Sequence, residues 1–99
     1  MDKWLSPLQR YILSETYSTG FITNSTVLVD WYGFETVTSG KKKFHRNKIG
    51  IRKYLSASAA TARALKRLRV RGLLKRTLGG GNCLTSKGVD VAKMNSFNF

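Results

Sequence analysis

The stretch SASAATARALKRLRVRG at residues 56–72 restricts the folding options of this chain more than any other. Ala57, Ala60, Ala64, Leu65 and Leu68 recur there at intervals of three and four, which on an α-helix gathers them into one apolar stripe. A helix with such a stripe must lie against a core supplied by the rest of the chain. Its other side carries the small residues Ala59 and Ala62 first and then Arg63, Lys66, Arg67 and Arg69, so the outer face is slim at its start and cationic later. A face of that kind suits close approach to a polyanionic groove, because bulky or acidic side chains would hold the backbone away. On these residues alone, a buried helix with a merely solvated outer face is the plainer alternative.

Charge bears on that choice. The 99 residues hold 18 Lys plus Arg against 5 Asp plus Glu, a formal net charge of +13. No acidic residue stands between Glu35 and Asp90, yet every arginine except Arg10 and every lysine except Lys3 and Lys93 falls inside that span. One face is therefore expected to be strongly positive, and its natural partner is nucleic acid, with an anionic membrane surface second. The apolar share, 41%, is that of a folded protein, and the length suits a single domain spanning 1–99.

Chemistry of other kinds finds little support. Cys83 is the sole cysteine and His45 the sole histidine, so neither a disulfide within the chain nor a zinc cluster can form. The carboxylates Asp2, Glu15, Asp30, Glu35 and Asp90 are scattered, and no enzyme site, metal or cofactor is expected. Cys83 reads as a small hydrophobe in a strand and His45 as a solvated loop side chain. No apolar run approaches the roughly 20 residues that cross a bilayer, and MDKWLSPLQR lacks the apolar centre of a signal peptide. A soluble, cytoplasmic protein without membrane contact is the expectation.

Around the long helix the remaining elements follow from caps and periods. Ser6 before Pro7, with Gly20 beyond, predicts a first helix whose apolar stripe is Leu5, Leu8, Tyr11 and Ile12. Residues 25–32 have β-branched content, but Val27, Leu28, Trp31 and Tyr32 are spaced for a short helix capped by Asn24 or Ser25. Residues 35–48, with the lysine run 41–43, read as a loop, and 49–55 as an extended piece or, alternatively, a short helix. Leu73 to Leu78, then GGGN, then Cys83 to Thr85 describes a β-hairpin with a glycine-rich tip. A last helix starts near Ser86, with Val89, Ala92 and Met94 facing inward.

The order of these pieces, an Ala- and Arg-rich helix, the string ALKRLRVRGLLKR, a glycine-tipped hairpin and then LTSKG, resembles the winged helix-turn-helix of MarR-type transcriptional regulators. The likeness covers about the last 40 residues. The hairpin is shorter than the usual wing and lacks its acid-and-arginine tip, and residues 33–55 match no pattern of that family. The resemblance implies an α+β fold, mainly helical, with residues 56–71 as recognition helix and 74–84 as a two-stranded wing. Under that reading Ser58, Ala59, Thr61, Ala62 and Arg63 face base edges of double-stranded DNA, while Lys66, Arg67, Lys75 and Arg76 bind phosphates. Gly80 and Asn82 at the tip approach the flanking backbone or minor groove. A homodimer is expected through the terminal segments, with Trp4, Leu5, Tyr11, Phe97 and Phe99 in contact. An RNA-binding or ribosomal protein with the same fold is the alternative, although no aromatic residue lies in the helix or the wing to stack on unpaired bases.

Overall fold

Ser6 opens the first helix, α1 (Pro7–Thr19), by a reciprocal cap: its Oγ accepts from the Gln9 amide at 3.1 Å and the Gln9 Oε1 accepts from the Ser6 amide at 3.0 Å. Gly20 closes the helix in the left-handed region, φ 99°, with its amide donating to the Thr16 carbonyl. The computed structural model describes residues 5–35, 44 and 46–96; the expectations at Trp4, residues 41–43, His45, Phe97 and Phe99 lie outside them.

Leu5, Ile12 and Leu13 of this first segment are buried, and so are Gln9 and Thr16, whose hydroxyl donates to the Ile12 carbonyl. The buried stripe is thus wider than apolar spacing alone indicates. Leu5 lies in the core, and Tyr11 meets Trp31 as a tilted ring pair with centroids 5.2 Å apart and donates to Asp30 at 3.2 Å. Of the five residues expected in a dimer contact, Leu5 is thus buried in the core and Tyr11 half-buried against Trp31 and Asp30.

After α1 the chain makes one extended step at Ile22, whose amide and carbonyl both pair with Asn82 at 2.8 Å. The second helix, α2 (Asn24–Asp30), confirms the helical reading over the strand, but its cap is Thr23, not Asn24 or Ser25. Thr23 has the extended backbone that turns its hydroxyl onto the Thr26 amide, at 3.2 Å.

The greatest departure lies between residues 35 and 55. In place of a continuous loop and an extended lead-in, the chain forms a single-turn helix α3 (Arg46–Ile49) and then a long helix α4 (Ile51–Val70). The two are separated by Gly50 at φ 103°. Packing across the chain explains the difference: Phe34, Leu28 and Ala57 form a second core with Tyr32, Phe44, Ile49 and Tyr54 around it. Aromatic rings meet there at 5.6 Å (Tyr32 and Phe34), 6.4 Å (Phe34 and Tyr54) and 5.7 Å (Phe44 and Tyr54). Seating Tyr54 on those rings favours helix over the weak alternation of Ile49, Ile51 and Lys53.

Strands β1 (Leu74–Arg76) and β2 (Asn82–Leu84) pair antiparallel, with Leu74 opposite Leu84 and Arg76 opposite Asn82. The tip is Leu78, Gly79 and Gly80 rather than GGGN: the Gly80 amide donates to the Thr77 carbonyl at 3.1 Å and the Thr77 amide to Gly81 at 2.9 Å. Gly80 supplies the positive φ, 90°, and Asn82 belongs to the strand. Helix α5 (Ser86–Ser96) then packs chiefly on α1. Ala92 is buried and Val89 half-buried, but Met94, expected inward, is 58% exposed. Among the described residues the result is an α+β domain: α1, α2, α4 and α5, the single turn α3, and one two-stranded sheet.

Candidate functional site

Helix α4 is about 30 Å long at 1.5 Å per residue, and one side of it is committed to the interior. Ala57, Thr61, Ala64, Leu65 and Leu68 are buried, with Leu68 and Thr61 fully so. Thr61 is therefore removed from the set expected to face bases. Its hydroxyl donates to the Ala57 carbonyl at 2.8 Å, which satisfies the group inside the helix and lets a polar residue occupy the apolar stripe.

The other expected residues of the helix are accessible. Ala59, Ala62, Arg63, Lys66 and Arg67 are exposed and Ser58 is half-buried. They are divided between two flanks. Towards α1, a surface recess of about 550 Å³ is lined by Arg63, Lys66, Arg67, Val70 and Arg71 together with Ser6 and Gln9. On the opposite flank Ala62, Leu65 and Arg69 border a small cleft with Asn24, Arg76, Gly80 and Asn82, so this side of α4, the start of α2 and the hairpin meet.

One side-chain hydrogen bond ties the hairpin to α4, beside the packing of Leu74 and Leu84 on the core that Leu65 and Leu68 share. The Asn82 Oδ1 accepts from the Arg69 guanidinium at 2.9 Å, while the Asn82 backbone pairs with Ile22. Asn82 is 4% exposed, so it anchors the hairpin at the strand pair next to the tip and is withdrawn from the set expected at the tip itself. Arg69, read from spacing as part of the free cationic face, is half-buried and engaged in that bond. Lys75, Arg76 and Gly80 are exposed as expected, and Leu78 projects fully into solvent beside them. Lys75 and Arg76 are neighbours on a strand and so leave it on opposite faces.

Carboxylates leave this face uncovered. Asp30 accepts from Tyr11, and Glu35 pairs with Lys48 at 3.4 Å in an exposed contact of little energetic weight. Among the described residues no ion pair restrains Arg63, Lys66, Arg67, Lys75 or Arg76. Within the same residues there is no group of three or more His, Cys, Asp or Glu able to hold a metal ion, and no helix is long and apolar enough to cross a membrane.

Three features of this surface were not read from the residues: Ile51 and Leu55, each 54% exposed on α4, and Asn24 beside the hairpin. Leu55 stands four residues before Ala59, a signal that becomes legible once the helix is known to start at Ile51. No protein-family model, no curated protein and no solved structure matches the chain.

Proposed function

We propose that the chain is a winged helix-turn-helix protein of MarR-like type that binds duplex DNA as a transcription regulator or accessory DNA-binding factor. The observation that carries the proposal is the tie between hairpin and helix. Ile22 extends the hairpin sheet beyond β2, and Arg69 bonds to Asn82, so the tip and the acid-free side of α4 border a common cleft. A wing and a recognition helix need that relation to grip successive parts of one duplex. In this reading α4 enters the major groove, Arg63 contacts a base edge, Lys66, Arg67, Lys75 and Arg76 bind phosphates, and the tip at Gly80 meets the flanking backbone. A homodimer belongs to the proposal through Trp4, Phe97 and Phe99, Leu5 and Tyr11 being taken up within the chain.

Selection of bound sequences from random duplex DNA, followed by titration of the winner and of a random duplex, tests the proposal. Arg63→Ala should cost roughly 1 to 3 kcal/mol on the selected site and less on random DNA, whereas Lys75→Ala should weaken both alike. Tighter binding to duplex RNA of the same sequence than to DNA would transfer the function to the RNA class.

A further inference from the structure

One exposed line along α4 is apolar. Ile51, Leu55, Ala59 and Ala62 follow one another at spacings of four, four and three, within an arc of about 80° at 100° per residue, and all four are exposed. Ile51 and Leu55 keep 54% of their surface in water, and neither belongs to either core cluster. Single exposed leucines are ordinary, but a continuous apolar line along an exposed helix face marks a contact surface. Its surroundings identify the occupant: Arg52 and Arg63 run along one side of the line, Lys66 continues it one turn beyond Ala62, and α4 contains no acidic residue. A partner that matches both is a polyanion with apolar groups recessed between its charges.

Duplex DNA has that form. The major groove lies between two phosphate rows, and the apolar group it displays is the C5-methyl of thymine. The line offers no hydrogen-bonding side chain of its own from Ile51 to Ala62. Of the hydroxyls near it, Ser58 is half-buried, Thr61 is buried and bonded to Ala57, and Ser56 is exposed but about 60° round the helix from Ala59. We propose that Ile51, Leu55, Ala59 and Ala62 form a methyl-reading edge that gives the protein preference for thymine-bearing duplexes. The inference rests on the duplex-binding proposal and adds what the duplex must present.

Anisotropy titration of the full chain against alternating dA-dT and alternating dA-dU duplexes isolates the methyl, because the two differ in that group alone. Covering one methyl is worth about 0.8 kcal/mol, so the thymine duplex should bind about fourfold more tightly for one methyl covered and about fifteenfold for two. The reciprocal pair, alternating dG-dC with and without C5-methylation of cytosine, should show the same sign. Leu55→Ala, at an exposed position, should bring the thymine-to-uracil ratio towards one. Equal affinity for the thymine and uracil duplexes would overturn the methyl reading and leave duplex binding standing. Loss of binding to both duplexes at low salt would overturn duplex binding and the methyl reading with it. A Leu55→Ala variant that keeps the full ratio would remove Leu55 from the edge.

Discussion

Gly88 shows how a single hydrogen atom in place of a side chain sets the position of an element. A Cβ at that position would lie 2.0 Å from the Leu73 carbonyl oxygen and 3.2 Å from Leu84, so α5 reaches the end of α4 only because the side chain is missing. Thr85 completes the junction, accepting from the Gly88 amide at 3.0 Å and donating to the Gly72 carbonyl. Gly88→Ala should therefore destabilise the fold by about 3 kcal/mol or more in urea titration, at the upper end of the range for overpacking. Gly79→Ala, where nothing lies within 4 Å, should change stability by no more than about 0.5 kcal/mol. Tyr11 carries a pH dependence of definite sign. Burial, then the charges of Asp30 and Glu15 and the bond to Asp30, hold its phenol well above its ordinary range. A group whose pKa is raised by folding contributes stability below its unfolded value of about 10 and loses it as pH rises beyond. The thermal midpoint should accordingly fall more steeply above pH 10 in the wild type than in Tyr11→Phe, and parallel profiles would show that the phenol is not the cause.

At the level of elements, legibility followed sequence separation. Helices α1, α2, the greater part of α4, the hairpin and α5 are each specified by neighbours within a few residues: a cap at Ser6, helical spacing from Ala57 to Leu68, glycines at the hairpin. The first turns of α4 are specified from a distance, by Phe34 and Phe44 meeting Tyr54, and no local period records such a contact. In the site the same limit operates through residue type. Thr61 and Asn82 are polar and were read as exposed, but each satisfies its polar atoms inside the fold, Thr61 on Ala57 and Asn82 on Arg69 and Ile22. Lys53, whose ammonium lies 5.9 Å from the Phe34 centroid, adds to the same aromatic group. Phe34→Ala should cost about 3 kcal/mol, and in hydrogen exchange the amides of 54–57 should lose protection ahead of those at 64–68. Uniform loss along the whole of α4 would show that the helix opens as one unit.

The molecule presents Arg63, Lys66 and Arg67 on α4 and Lys75 and Arg76 on the hairpin without an ion pair among the described residues, while its described acids sit on α1, at the end of α2, beside α3 and on α5. If six to eight phosphates are neutralised, log K should fall against log salt with a slope of about −5 to −7. A slope near zero would mean that the charge does not meet DNA in the way proposed. The packing of α1 against α5 also imposes an order of events on a ribosome. Ile12 and Leu13 emerge early, but Ala92, which shares their core, belongs to the last helix described. At about 5 to 20 residues per second the interval from Thr19 to Ser86 is on the order of 3 to 13 seconds, during which the nascent chain lacks the part of the cover that α5 supplies. Chains arrested before Ser86 should therefore be held by chaperones or aggregate, and release of α5 is the step of synthesis at which the molecule becomes self-sufficient.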